Sequence, residues 1–319
     1  MKDEKESDLM SSSLILHPSS LLGHALASGR LRFGGAILLL IALGCVGTLP
    51  LTLRHGNPLH YDRQNPALSR QGPQTAATAQ WFGMDLLGRS LLGRCMLGGA
   101  ISLGVGLGAA IISVVLGLGV GLLAGYRGGW VDGLLMRMVD VLYGLPYLLL
   151  VILLKIALER PLGKVMPPMA SNLVVLFLAI GLVSWLTMAR VVRGQVLSLR
   201  NQPFVEAARA AGLTEWRIFF GHLLPNLIGP VIVYATLIVP QAILQESFLS
   251  FLGIGVQQPL PTWGSLAAEG LMPALNTVNS HWWLLVYPCV LLAVTLLSLN
   301  FMGDGLRDVF DPRRESAKI

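Results

Sequence analysis

The stretch from Gly98 to Gly125, GGAISLGVGLGAAIISVVLGLGVGLLAG, decides the fold class of this chain. It carries no charged residue and exceeds the ~20 apolar residues that a helix needs to cross the hydrocarbon core of a bilayer. A lone strand would leave backbone groups unpaired in lipid, so the stretch must be helical. Four of its glycines recur at helix-packing spacing and predict close contacts with neighbouring helices. They are Gly104, Gly108, Gly117 and Gly121.

The composition of the whole chain is typical of a membrane protein. Hydrophobic residues make up 54% of the chain and charged residues 13%, with a mean hydropathy of +0.66, whereas soluble domains carry about 25% charged residues. The net charge of +6 could indicate nucleic acid. However, Lys and Arg fall between the apolar runs and form no basic aromatic face, so no nucleic-acid partner is expected. The widely spaced Cys45, Cys95 and Cys289 predict neither a disulfide nor a metal site and are interpreted as small apolar fillers.

Six stretches are long and apolar enough to span a membrane, which predicts an all-α fold with six transmembrane helices. They are Phe33 to Leu53, Gly98 to Gly125, Met138 to Leu158, Leu173 to Ala189, Leu227 to Leu252 and Trp282 to Gly303. Pro146 and Pro240 lie inside spans and predict kinks there. No small-residue cleavage site follows the first run, so we expect it to remain as a membrane helix.

The distribution of Lys and Arg predicts that both termini are cytoplasmic. With that orientation most basic residues fall on the inner side, and the outer loop 253–280 has none. The predicted organisation follows the chain in order. It is a cytoplasmic N-terminal segment 1–32, a first transmembrane helix 33–53, an extracytoplasmic loop 54–97, a core of helices two to six at 98–303 that includes a polar cytoplasmic segment 201–226, and a cytoplasmic tail 304–319.

The polar segment 201–226 is predicted to fold as a short helix, a bend and a stiff connection to the fifth span. Pro203 can begin the first helix, and Gly212 can end it in a left-handed cap. Thr214 can cap a second helix, with Glu215 in its favourable first turn.

Two interpretations of this segment remain open from its pattern. Its alanines leave the first helix slim, so a groove in a soluble partner could close around it, with Phe204 and Leu213 as apolar anchors at either end. Alternatively, it is an amphipathic connector lying on lipid headgroups. An interfacial helix should carry more Lys and bulkier apolar groups, so the composition favours docking.

The segment 201–226 resembles part of a known protein family. Glu206-Ala207-Ala208, three residues, Gly212 and then Leu224-Pro225 are similar to the coupling motif of ATP-binding cassette (ABC) importer permeases. The stretch from Phe82 to Pro312 holds further motifs, in order, that resemble the dipeptide, oligopeptide and nickel permease family. These are Gly83-Met84-Asp85-Leu86-Leu87-Gly88-Arg89, Leu123-Ala124-Gly125-Tyr126-Arg127-Gly128-Gly129-Trp130-Val131-Asp132, Arg190-Val191-Val192-Arg193-Gly194-Gln195, Ser247-Phe248-Leu249-Ser250-Phe251-Leu252-Gly253, Pro261-Thr262-Trp263-Gly264 and Gly303-Asp304-Gly305-Leu306-Arg307-Asp308. Four positions depart from the residues usual in the family, namely Met84, Ser90, Gly99 and Gly221.

The resemblance implies a type I ABC importer permease subunit in the bacterial inner membrane. Such a subunit forms half of a translocation path for peptides or related small solutes such as nickel chelates. The implied partners are a sister permease in a heterodimer, two ATPase subunits and an extracytoplasmic solute-binding protein. No cofactor is expected in this chain, and ATP and Mg²⁺ would be bound by the partner subunits. The residues implied to couple to the ATPases are Glu206, Ala207, Ala208, Arg209, Gly212, Leu213, Leu224 and Pro225.

The chain itself is not expected to be an enzyme. It has no Gly-x-x-x-x-Gly-Lys-Ser/Thr loop, because Gly163-Lys164 is followed by Val165. No nucleophile–base pair or pair of carboxylates stands at useful spacing. His55 and His60 lack a third ligand nearby and predict a solvated surface rather than a metal site. Trp263, Trp282 and Trp283 predict an aromatic belt at the outer interface.

Ionisable residues inside the spans are candidates for function. Asp140 and Lys155 lie near the two ends of the third span, which favours snorkelling or loop pairing. Glu246 lies deeper and is a candidate to line the path, together with Pro146 and Ser247, although a helix-to-helix hydrogen bond is an equal alternative.

Two rival functions are weaker on sequence grounds. An ion-gradient-driven secondary transporter would call for buried acidic relays and repeated halves, of which the chain shows little. A membrane scaffold that transports nothing would not explain the ordered set of motifs.

Overall fold

The computed structural model describes residues 29–310, which are mostly helical. The α-helices are α1 Gly29–Gly47, α2 Leu49–Leu53, α3 Leu91–Arg127, α4 Gly129–Tyr143, α5 Tyr147–Gly163, α6 Pro168–Leu199, α7 Pro203–Ala210, α8 Glu215–Ile218, α9 Leu224–Phe251, α10 Trp263–Ala274 and α11 Trp283–Phe310. Short 3₁₀ turns occupy Pro66–Leu68 and Thr78–Gln80, and a π-helical turn at Phe219–Leu223 joins α8 to α9. Within the described range no strand forms, and an isolated antiparallel bridge joins Met84 to Ser90.

Five helical stretches are long and apolar enough to cross a membrane, and a bent helix pair makes a sixth candidate. The predicted all-α architecture is therefore confirmed. The third span predicted at Met138 to Leu158 falls across α4 and α5, which meet at an angle of 97° as one broken span or a re-entrant loop, and the kink predicted at Pro146 is confirmed. Pro146 has no N–H to continue the helix, and it stands directly before α5. Pro240, in contrast, lies within an uninterrupted α9.

The helix that contains the second predicted span begins before it, at Leu91. Residues 91–97 belong to α3 rather than to the outer loop, and Ser90 caps the helix by accepting a hydrogen bond from the N–H of Gly93 at 3.3 Å. The predicted span began only after Arg94, because a charged residue normally indicates a loop in a membrane protein. Here its side chain is 1% exposed and paired inside the protein.

Glycines on one face of α3 let it lie directly against α6. A Cβ at Gly121 would stand 2.6 Å from the carbonyl oxygen of Ala189, and one at Gly117 would overlap an α6 side chain. These two contacts confirm the predicted close packing. The prediction is wrong for Gly104, where a Cβ would meet nothing within 4 Å. At 3.6 residues per turn, Gly104 lies roughly 220° around the helix from Gly117.

A buried ion-pair network ties the outer loop to α10. Arg94 Nη1 lies 2.8 Å from Asp85 Oδ2 and 2.6 Å from Glu269 Oε2. Arg89 Nε lies 2.6 Å from Asp85 Oδ2, and its Nη1 lies 3.3 Å from Asp62. Since α3, α10 and the loop 54–90 each contribute charges, the network holds three separate parts of the chain together.

The predicted tryptophan belt is wrong for two of its three residues. Trp263 is 0% exposed, and its indole N–H donates to the carbonyl of Cys95 at 3.0 Å. Trp283 is also buried and donates to the carbonyl of Met84 at 3.4 Å. Both rings find hydrogen-bond acceptors inside the packed outer layer, which is how buried Trp is usually satisfied. Trp282 is exposed.

Two interpretations of single side chains also need correction. His60 is buried beside His55, with 4.8 Å between the ring centroids, so it is not the solvated residue that was predicted. Cys45 and Cys95 are buried, as expected of apolar fillers, but Cys289 is exposed.

The two charged residues of the predicted third span have partners, although Asp140 lies beside the break and pairs with helix α6 rather than with a loop. Asp140 Oδ1 accepts a hydrogen bond from Arg190 Nη2 at 2.8 Å. The Lys155 ammonium donates to the carbonyls of Ile254 and Gly255 in the turn after α9. Loop pairing is therefore the correct interpretation for Lys155.

Candidate functional site

The polar segment at residues 201–226 begins with a short capped helix, α7. Pro203 occupies its first position, and Gly212 follows its end with a φ of 75°. The Gly212 N–H donates to the Arg209 carbonyl at 2.9 Å, and the Leu213 N–H donates to the Ala208 carbonyl at 3.1 Å. This pair of bonds is the Schellman arrangement, so the predicted left-handed cap is confirmed.

The second helix of the segment runs straight into the membrane. Thr214 stands at the N-cap of α8 as predicted, although its side chain makes no capping hydrogen bond. From Glu215 the backbone stays helical through the π turn to Phe251, a rod of roughly 55 Å at 1.5 Å per residue. The predicted stiff connection to the fifth span is confirmed. The π turn itself was missed, and its one sequence signal is the exposed Gly221 in the middle of a helix.

A small apolar cluster holds the bend together. Its buried members come from α7, α8 and the π turn and are Val205, Ala208, Ile218 and Leu223. Phe204 and Leu213, the predicted apolar anchors, pack partly against this cluster. Less of their surface is therefore left for a partner than the sequence suggested.

The outer surface of the unit consists of small side chains beside two aromatic rings. We call the exposed residues Glu206, Ala207, Ala210 and Ala211 the alanine face. Trp216 is 72% exposed and stacks on Phe220, with 5.7 Å between ring centroids and 10° between ring planes. Sequence reasoning missed this pair, although its i, i+4 spacing on a helix was the available signal.

The remaining predicted coupling residues surround the alanine face. Arg209 and Gly212 are exposed, Ala208 is buried in the cluster, and Leu224 is half-buried. Pro225 is exposed in the first turn of α9. The structure thus brings the predicted set together in one compact unit.

Glu215 connects this unit to the membrane helix α3. The Tyr126 hydroxyl, at the end of α3, donates to the Glu215 carboxylate and lies 3.1 Å from the Glu215 carbonyl oxygen. Arg209 Nε lies 3.5 Å from the same carboxylate. One side chain therefore joins α7, α8 and α3.

The end of α6 is fixed to the α3–α4 turn in the same layer. Arg193 binds Asp132 through two hydrogen bonds, of which Nη2 to Oδ2 is 2.6 Å. Arg200 Nη1 donates to the Gly125 carbonyl at 3.1 Å. Two sequence motifs that lie far apart in the chain thus meet beside the bend.

Glu246 is fully buried and joins two spans. Its carboxylate accepts hydrogen bonds from Ser102 on α3 at 2.9 Å and from Ser250 at 2.7 Å, with Ser247 at 3.3 Å. This is the helix-to-helix hydrogen bond that the sequence left as an alternative. A role for Glu246 and Ser247 in lining the path stays a prediction.

A cavity of about 290 Å³ lies beside the break between α4 and α5. Helices α6 and α9 form its other walls, and Pro146 is exposed at the corner of the break. Its polar lining residues are Tyr143, Tyr147, Ser184, Thr187, Gln241 and Gln245. The Tyr147 hydroxyl donates to Gln245 Oε1 across the cavity.

The fold is similar to that of a solved transporter. A structure entitled "Inward facing conformations of the MetNI methionine ABC transporter" matches with a TM-score of 0.50 and 19% sequence identity, covering 68% of this chain and 96% of the other. At that level of identity the match supports the fold alone. The match therefore shows a shared all-helical fold.

The sequence comparisons identify the family. Residues 117–316 match the family described as "Binding-protein-dependent transport system inner membrane component". The chain is 46% identical to the oligopeptide transport system permease protein OppC of Escherichia coli K12 over 79% of this chain and 78% of that protein. It is 44% identical to the dipeptide transport system permease protein DppC of Bacillus subtilis over 73% and 68%. It is 34% identical to the glutathione transport system permease protein GsiD of Pectobacterium atrosepticum over 88% and 85%.

The chain therefore belongs to the family of binding-protein-dependent transport system inner-membrane components. It is a multi-pass permease subunit of the inner membrane, and its relatives support the ABC importer interpretation rather than a secondary transporter.

Proposed function

We propose that this chain forms half of the path through which an ATP-driven importer carries short peptides. The relatives reported above are named for oligopeptide, dipeptide and glutathione transport, and each of these cargoes is a peptide. Nickel chelates, which the wider family resemblance also includes, are named for none of those three. A short peptide is thus the cargo with the most support.

The proposed assembly needs four further subunits. A sister permease completes the path, which fits the exposure of Gln241 and Thr187 on the cavity wall of this chain. An extracytoplasmic receptor delivers the peptide, as the family description of binding-protein-dependent transport suggests. Two ATPase subunits bind ATP and Mg²⁺, since this chain has no phosphate-binding loop of the Walker type.

The alanine face is the surface that we propose to enter a groove on the ATPase. Alanine side chains let the walls of such a groove approach the α7 backbone closely. Trp216 and Phe220 add the aromatic contact area that dominates many protein interfaces. ATP can shift the transporter between two states only if it binds one state of the ATPase dimer more tightly than the other. For that shift to reach the permease, the groove must hold α7 while the ATPase dimer opens and closes.

The single observation that carries this proposal is the rigid link between α7 and the fifth span. The Schellman cap and the buried cluster fix α7 to α8, and α8 continues into α9 without a break. Glu215 and Tyr126 pass the same displacement to α3. A movement imposed on the alanine face therefore reaches two membrane-spanning helices, α9 and α3.

The test is reconstitution of the complete transporter in proteoliposomes, with the receptor, sister permease and ATPases. We expect uptake of a labelled tripeptide to require ATP. Glu206→Lys should lower uptake and receptor-stimulated ATP hydrolysis about tenfold or more, because it reverses a charge on the alanine face. The matched control is Glu159→Lys, the same charge change at an exposed site near the end of α5. ATP-independent uptake driven by an ion gradient would refute the proposal in favour of secondary transport.

A further inference from the structure

The cavity beside the broken span is lined by six apolar and six polar residues, none of which is charged. Every residue that lines it is described by the structure, and none is Asp, Glu, Lys or Arg. The nearest ion pair, Arg190 with Asp140, lies at its edge, where the Arg190 guanidinium stands 4.0 Å from the centre of the Tyr143 ring. Since these two charges neutralise each other, the cavity presents no net charge to an occupant.

Two polar rows face each other across this cavity. Gln241 and Gln245 are one turn apart on α9, and Ser184 and Thr187 are one turn apart on α6. Residues at these spacings project from the same face of a helix. Ser184 lies about halfway along α6, so the rows stand deep within a membrane-spanning helix.

The hydrogen-bonding capacity of these rows is only partly used. Tyr147 donates to Gln245, and the Ser184 hydroxyl donates to the Ile180 carbonyl at 2.9 Å. In the part of the chain that the structure describes, the side chains of Gln241 and Thr187 have no hydrogen-bond partner, and both are exposed to the cavity. Leaving such groups against lipid is unfavourable. Their position therefore calls for a polar occupant.

We propose, resting on the peptide-import function above, that Gln241 and Thr187 hydrogen-bond the main chain of the passing peptide. Each peptide residue other than proline offers one N–H donor and one C=O acceptor. A glutamine carboxamide both donates and accepts, so it can pair with either group. The uncharged wall then makes passage insensitive to the charge of the peptide side chains, because it neither attracts nor repels them.

The cavity volume fits a shared site. About 290 Å³ lies just below the ~300–1,000 Å³ typical of ligand pockets. One chain thus supplies room for part of a short peptide, and the sister permease would supply the rest.

The experiment introduces a charge of either sign at one position. Uptake of Ala-Ala-Ala, Lys-Ala-Lys and Glu-Ala-Glu is measured in proteoliposomes with one receptor at saturating concentration. Gln241→Glu should raise the ratio of Lys-Ala-Lys to Glu-Ala-Glu uptake at least threefold over the native ratio, and Gln241→Lys should lower it by a similar factor. A ratio within one variant is independent of the amount of transporter inserted. A defect in folding would lower both rates and leave the ratio unchanged.

Two further variants complete the design. Asn300→Asp converts an exposed amide on α11, outside the cavity, to an acid and should leave the ratio at its native value. Gln241→Leu removes the hydrogen-bonding groups and should slow uptake of all three peptides about tenfold, the scale of one lost hydrogen bond.

The outcomes separate the two proposals. Failure of the native complex to import any of the three peptides would refute the proposed function itself. If the native complex imports them and both charged variants keep the native ratio, the cavity is not the peptide path and the inference is overturned. If Gln241→Leu takes up the three peptides at the native rate, the hydrogen-bonding role of Gln241 is overturned.

Discussion

Gly212 and Gly194 differ in backbone conformation although neither is crowded. A Cβ added to either residue would meet nothing within 4 Å. Gly212, however, has a φ of 75°, whereas Gly194 lies in the interior of α6. A residue with a Cβ loses about 1–2 kcal/mol in the left-handed conformation. The two positions thus separate backbone strain from steric overlap.

At Gly212, substitution should weaken coupling. Gly212→Ala, and more strongly Gly212→Val, should loosen the Schellman cap and reduce receptor-stimulated ATP hydrolysis several-fold while the protein still inserts in the membrane. Gly194→Ala is the matched control and should be neutral or stabilise α6 by about 0.5–1 kcal/mol. Equal ATPase activity in Gly212→Val and Gly194→Ala would remove the cap from the coupling mechanism.

Arg94 should be among the most costly residues to remove. Arg94→Ala would leave Asp85 and Glu269 facing each other with less compensation, and breaking one side of a buried ion pair typically costs 3–5 kcal/mol. We expect a clear drop in the thermal unfolding temperature of the purified protein in detergent. The exposed Arg54→Ala serves as control. Matching unfolding temperatures for the two variants would show that the network contributes little to stability.

At the scale of elements, helix contacts depend on which face each glycine occupies. Gly121 and Gly104 belong to the same helix and both looked suited to packing in the sequence. Only Gly121 lies against α6, because its face of α3 points toward that helix. Hydropathy identifies a span but does not determine its rotation, which is why one prediction is confirmed and the other is wrong.

Adding a methyl group should therefore destabilise the protein at Gly121 but not at Gly104. Gly121→Ala would place a Cβ 2.6 Å from the Ala189 carbonyl, and such overpacking typically costs about 1–3 kcal/mol. Gly104→Ala has open space and should leave stability unchanged or slightly raised. Thermal unfolding of the two purified variants measures the difference, and a Gly121→Ala protein as stable as Gly104→Ala would contradict the direct helix contact.

The broken span shows where sequence reasoning reached its limit. Pro146 predicts a kink, because it cannot donate the hydrogen bond that continues a helix. The 97° bend also depends on packing of α5 against α6 and on the Lys155 contacts with the turn after α9. Those partners are distant in sequence. The coupling unit was predicted more fully, because its cap, bend and first turn are specified by consecutive residues.

At the scale of the whole molecule, charged residues concentrate in two layers on opposite sides of the apolar helices. One layer contains Arg94 and its partners, and the other contains Arg193, Asp132 and Glu215 with the bend. Loop charges predict that the second layer faces the cytoplasm. The buried Trp263 and Trp283 could not be placed from sequence, since composition alone does not distinguish an interfacial ring from a packed one.

The orientation is testable by cysteine labelling. In a Cys289→Ser background, whose remaining Cys45 and Cys95 are buried, Thr277→Cys should react with a membrane-impermeant maleimide in intact spheroplasts. In cells that make the permease without its ATPase subunits, Ala210→Cys should react only after the membrane is opened, because it lies on the alanine face. Labelling of Ala210→Cys from outside would invert the predicted topology.

The π turn at Phe219–Leu223 has a consequence for how the chain tolerates the loss of a residue. A π turn accommodates an extra residue in the helical cycle, and each residue rotates an α-helix by roughly 100°. One residue deleted from an ordinary α-helical turn would thus rotate the alanine face by roughly 100° about the long axis of α9, whereas in the π turn the wider winding absorbs most of the change. Loss of Gly221, which is exposed and lies outside the buried cluster, would therefore change the direction of the alanine face far less than loss of one residue from the α-helical part of α9.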